Sequence, residues 1–125
     1  MMRRYLLIAL SAIALMTSGV QAKEQTPLRE RVRDGVQRTD KDLQTLVHRD
    51  KLNPQQRDRL DAAMKDLQEL REAVAGTQWE GERARLERAV DNIDFVVTNA
   101  PIEEGDRQTL GIDLYSLRVI LDSWK

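Results

Sequence analysis

The amino-acid sequence predicts an all-α protein, an antiparallel four-helix bundle that follows a cleaved N-terminal signal peptide. Apolar residues recur every three or four positions from Leu28 onward, which is the helical period. Three short segments containing proline or glycine interrupt this pattern, and a continuous apolar run occurs only near the start. We therefore predict a signal peptide at residues 1–22, a linker at 23–27 and a helical domain at 28–125.

The signal peptide is predicted from its charge and its length. Arg3 and Arg4 precede an apolar run, and Val20, Gln21 and Ala22 form an A-x-A-like cleavage pattern. The run of about 12 residues is shorter than the roughly 20 that a membrane-spanning helix needs. We expect a periplasmic protein with no stable membrane span after cleavage, and a retained membrane anchor is the alternative.

Composition excludes several classes of protein. The chain has no cysteine, so neither a disulfide framework nor a thiol site can form. Its formal net charge is −1, and loss of the two signal-peptide arginines makes the remainder more acidic. Nucleic acid is therefore not expected as a partner, since binding it requires a basic surface.

The first predicted helix begins with Thr26 as N-cap and Pro27 in the first helical position. Its surface charges are spaced for pairs at i,i+4, namely Asp34 with Arg38 and Arg38 with Asp42. The predicted core stripe is Leu28, Val32, Val36, Thr39, Leu43, Leu46 and Val47.

The second and third helices are predicted to begin with capping boxes. Asn53 and Gln56 can exchange hydrogen bonds at the start of the second, and Gly76 is expected to end it at a C′ position. Thr77 and Glu80 form a T-x-x-E box for the third. The predicted core stripes are Leu60, Ala63, Met64, Leu67, Leu70 and Val74 for the second helix, and Trp79, Leu86, Val90, Ile93 and Val97 for the third.

The fourth helix follows Pro101, which disfavours helix in the preceding residue, and Asp106 is its predicted cap. Apolar residues then recur at alternating spacings of four and three positions, which places them along one side of the helix, as expected in a helical bundle. We call this side the leucine seam. These residues are Leu110, Leu114, Leu117, Leu121 and Trp124.

Residues that could carry chemistry are sparse. His48 is the only histidine, and Thr45 stands where a Glu-x-x-His di-iron motif would need glutamate. Glu87, Asp91 and Asp94 share one helical flank that could attract a hard cation, but such flanks are typical of a solvated surface. We predict no catalytic residue, no cofactor and no metal site, and a small helical enzyme is the alternative from another class.

A second apolar face on the fourth helix is the one feature that points to a partner. Ile112, Tyr115 and Val119 fall opposite the leucine seam, and Phe95 falls opposite the stripe of the third helix. These four residues are the predicted partner-binding or self-association surface. The alternative is that the fourth helix is buried against neighbours on two sides.

The start of the second helix resembles a known family. Residues 52–56, LNPQQ, resemble the L-T-x-x-Q helix start of the Spy/CpxP family of periplasmic stress proteins, with Asn53 in place of threonine. The nearest second copy, GTQWE at 76–80, lacks the leading leucine and the final glutamine. The resemblance implies chaperone-like or envelope-stress work by surface binding, without a cofactor.

The sequence therefore predicts a secreted periplasmic helical protein that acts by binding protein, with chaperone-like or envelope-stress work as its leading form. A dedicated periplasmic inhibitor or immunity protein is the alternative within the binding class.

Overall fold

The computed structural model describes residues 27–124 and confirms an all-α four-helix bundle. The predicted signal peptide, linker residues 23–26 including the cap Thr26, and Lys125 lie outside the described residues. A single 3₁₀ turn, Glu80–Glu82, precedes the third helix within the described range. The helices are α1 (Leu28–Arg49), α2 (Pro54–Ala75), α3 (Arg83–Asn99) and α4 (Glu104–Ser123).

The four helices pack as a closed ring around one apolar core. Each helix contacts the next along the chain, and α4 packs back against α1. Most residues of the four predicted stripes are buried, which confirms the helical pattern. The stripe residues that are only partly buried lie at the edge of this core: Leu28, Val47, Met64, Trp79 and Val97.

The capping box of α2 is confirmed. The Asn53 side chain accepts from the Gln56 backbone N–H at 2.8 Å, and the Gln56 side chain accepts from the Asn53 N–H at 3.1 Å. Gln56 is itself buried and donates to the carbonyl of Asn99 at 3.3 Å. The cap of α2 therefore also joins this end of the helix to the end of α3.

The predicted capping box of the third helix is wrong. No side chain caps the 3₁₀ turn that precedes α3, and α3 itself begins only at Arg83. Trp79 instead packs on Trp124, with ring centroids 5.3 Å apart, and the Trp124 indole N–H donates to the carbonyl of Glu80 at 3.0 Å. The position of this segment therefore depends on its contact with the end of α4, and the local hydrogen bonds predicted between Thr77 and Glu80 do not form.

Three helix ends also differ in detail from prediction. Helix α1 begins at Leu28, so Pro27 occupies the N-cap position. Gly76 ends α2 as predicted, but with an extended backbone (φ −95°) in place of the left-handed conformation of a C′ glycine. Asp106 does not cap α4, because the helix begins earlier and Glu103 is its N-cap residue.

Gly35 of α1 packs directly against side chains of α4. A Cβ atom at this position would lie 2.9 Å from Ile120 Cδ1 and 3.4 Å from Leu117 Cδ2. Glycine costs about 1 kcal/mol relative to alanine in a helix interior. At position 35 that cost is offset by the packing of α4 against α1.

Replacing Gly35 by valine is expected to lower the free energy of unfolding by about 1–3 kcal/mol, because its stiff branched side chain would push α4 away. Gly111 is the matched control, since a Cβ atom there meets nothing within 4 Å. Gly111→Val is expected to equal or slightly exceed the wild type. Urea unfolding followed by circular dichroism measures both, and equal stability of the two variants would contradict the close approach.

Candidate protein-binding face

Three large apolar side chains lie uncovered on α4. Ile112 is 66% exposed, Tyr115 72% and Val119 39%, and their spacing places them along one side of the helix. They are the exposed large hydrophobic residues within the described part of the chain. In the single chain these side chains are therefore not buried against neighbouring helices. We call these three residues the α4 stripe.

Phe95, the fourth predicted residue, lies in a different setting. Its side chain is half-buried, and the Arg59 guanidinium carbon lies 4.3 Å from the ring centroid, a cation–π contact. Arg59 also donates to Asn92 at 3.0 Å, which holds it between α2 and α3. Three of the four predicted residues, Ile112, Tyr115 and Val119, thus lie together on α4. Phe95 instead packs against Arg59 of α2.

A groove of about 320 Å³ runs beside the α4 stripe, between α4 and α1. Gly35 of α1 is one of the residues that line this groove. The lining combines apolar surface with more guanidinium groups than carboxylates. Its residues are Arg31, Asp34, Gly35, Arg38, Tyr115, Ser116, Val119 and Ile120.

A buried carboxyl group lies next to this groove on α4. Asp113 is 2% exposed, and Arg38 Nε lies 3.3 Å from its Oδ1 atom. Burial, followed by the hydrogen bond and the charge of Asp42, raises the pKa of Asp113 to about 7, although Arg38 opposes the shift. The predicted pairing along α1 is therefore wrong: Arg38 pairs across to α4, and Asp34 lies 3.8 Å from Arg33.

A second acidic group lies at the end of the bundle where α1 ends and α4 begins. It contains Asp50, Glu103 and Asp106, with Arg49 paired to Asp106 and 3.9 Å from Glu103. Burial raises the pKa of Asp50, and so do the neighbouring carboxyl groups of Asp106 and Glu103, while the Glu103 backbone N–H lowers it. Sequence reasoning missed this group because Asp50 follows α1, whereas Glu103 and Asp106 lie at the start of α4, far along the chain.

The acidic flank of α3 does not form a comparable site. Glu87 pairs with Arg83, and Asp94 lies 3.2 Å from Arg118 of α4. Asp91, the third residue of this flank, is exposed. His48, near the end of α1, is exposed as well. The charges on this flank are those of a solvated surface.

No protein-family model, no curated protein and no solved structure matches the chain. The resemblance of residues 52–56 to the Spy/CpxP helix start therefore stays a prediction. Within residues 27–124, no helix combines the length and the apolar character that crossing a membrane requires.

The raised pKa of Asp113 predicts that stability depends on pH. The unfolded chain ionises this group near the ordinary value of 3.8 and the folded chain near 7, so the folded state binds the extra proton between them. The stabilisation is therefore complete at low pH and is lost as the pH rises through about 7. We expect the free energy of unfolding to fall by about 2–3 kcal/mol between about pH 5 and pH 8.

Asp113→Asn is expected to remove most of this pH dependence, since an amide can donate to Asp42 and accept from Arg38 at every pH. At about pH 8 it should be more stable than the wild type by about 1 kcal/mol. Asp58→Asn, at an exposed position of α2, is the control and should keep the wild-type dependence. Parallel pH profiles for the wild type and Asp113→Asn would contradict the assignment.

Proposed function

We propose that this protein is exported to the periplasm and binds apolar segments of other proteins on its α4 stripe, in the manner of a chaperone. The observation that carries the proposal is the exposure of Ile112, Tyr115 and Val119, whereas the other large apolar side chains within residues 27–124 are buried or half-buried. Apolar surface gathered on one helix face is stabilised when a partner excludes water from it.

The groove beside the stripe indicates which segments would bind best. Its charged lining is Arg31, Arg38 and Asp34, and Arg38 is already paired with Asp113. A segment with apolar residues and a neighbouring carboxylate would pack on Tyr115 and Val119 and place the carboxylate near Arg31.

The proposed compartment rests on the N-terminal residues. Arg3, Arg4, the apolar run and the pattern at residues 20–22 support export. The absence of cysteine from the chain suits a compartment in which exposed thiols oxidise. The Spy/CpxP resemblance supports chaperone-like work in the same compartment.

The test is suppression of aggregation of two unrelated unfolded proteins, followed by light scattering. The wild type is expected to suppress both at near-stoichiometric amounts. Tyr115→Lys with Val119→Lys should raise the concentration needed for half-suppression by about fivefold or more, because two charges would enter the apolar contact. Circular dichroism should show that this variant remains folded, since both side chains are exposed.

The control is Ala62→Lys with Gln68→Lys, which adds the same charge at exposed positions of α2. It should suppress aggregation as the wild type does. Equal loss in both double variants would show a general charge effect and contradict the α4 face. No suppression by the wild type, with one partner bound at equal stoichiometry, would favour the inhibitor or immunity alternative.

A further inference from the structure

We propose that Asp50, Glu103 and Asp106 bind one calcium-sized divalent cation at the end of the bundle. Asp50 lies directly after α1, Glu103 directly before α4, and Asp106 in the first turn of α4. Each residue offers one carboxylate oxygen, and the three oxygens lie within 4.8 Å of one another. The antiparallel arrangement of the helices brings them together.

Two buried oxygen atoms in this cluster point to a ligand. Asp50 is 9% exposed and Asp106 is 8% exposed, and when both carboxyl groups are ionised the Oδ2 atom of each receives no hydrogen bond from any residue in 27–124. A buried carboxylate oxygen without a donor is unfavourable, because it has lost its hydration and gained nothing in return. A cation placed among the three carboxylates would compensate both atoms at once.

Arg49 does not supply this compensation. Its guanidinium pairs with the Oδ1 atom of Asp106 and approaches Glu103 Oε2 at 3.9 Å, which leaves both Oδ2 atoms without a partner. One guanidinium against three carboxylates leaves an excess of negative charge. A divalent cation would cancel that excess.

The irregular ligand set favours calcium over magnesium. Calcium accepts six to eight oxygen ligands at about 2.3–2.6 Å in flexible geometry. Magnesium demands near-octahedral geometry at about 2.0–2.1 Å and gives up its water reluctantly. Three carboxylate oxygens within 4.8 Å of one another are close enough to bind one calcium ion after small side-chain adjustments, and water would complete its coordination.

Binding would link the first connection of the chain to the start of α4. Three carboxylates with an arginine among them make a weaker site than a dedicated calcium loop. We expect a dissociation constant of about 0.1–1 mM, the range of extracellular calcium modules.

The test is thermal unfolding of the EDTA-treated protein with calcium chloride, together with isothermal titration calorimetry. Calcium at about 10 mM should raise the melting temperature by about 5 °C and bind at one ion per chain. Magnesium at the same concentration should have a smaller effect. No binding of calcium, or equal effects of the two ions, would overturn the proposal.

Three variants distinguish calcium binding at this cluster from general screening of surface charge by the salt. Asp50→Asn should abolish the calcium-dependent shift, whereas Glu104→Gln, an exposed neighbour outside the cluster, should keep it. Arg49→Gln should bind calcium more tightly, by about tenfold, because a competing positive charge is removed. A shift of the same size in Asp50→Asn and Glu104→Gln would mean that calcium acts only on the surface charge.

Discussion

The packing of α4 against α1 is the contact on which the rest of this structure depends. It closes the ring between helices that are distant in sequence, and it packs tightly at Gly35, where a Cβ atom would lie 2.9 Å from Ile120 Cδ1. Without that contact the leucine seam of α4 would have no neighbour on one side. The buried carboxyl group of Asp113 would then be in water and would lose its pairing with Arg38.

The groove, the buried carboxyl group and the acidic cluster all lie along the contact between α1 and α4. The groove runs beside Gly35 and Arg38, the pair of Arg38 with Asp113 lies within the length of the α4 stripe, and the acidic cluster lies where α1 ends. Trp124 secures the opposite end of α4 by its hydrogen bond to Glu80. One face of α4 is thus committed to the core, while the other remains available for a partner.

Local patterns were sufficient to predict the helices and the core. The spacing of Leu110, Leu114 and Leu117 and the Asn53 capping box depend only on residues a few positions apart, and the structure confirms both. Two of the wrong predictions involve residues that contact a distant partner instead of a near one. Arg38 pairs with a buried carboxylate on α4, and the segment before α3 follows the Trp79 and Trp124 contact. The acidic cluster could be foreseen only after deciding that the end of α1 meets the start of α4.

The most direct test of the α4 face is an NMR titration of the isotopically labelled protein with an unfolded client segment that carries apolar and acidic residues. The account predicts that the backbone amide signals of Ile112, Tyr115 and Val119 shift together with that of Gly35 across the groove. Signals of exposed α2 residues such as Ala62 should remain in place. Shifts confined to α2 and α3, or spread evenly over the bundle, would contradict it.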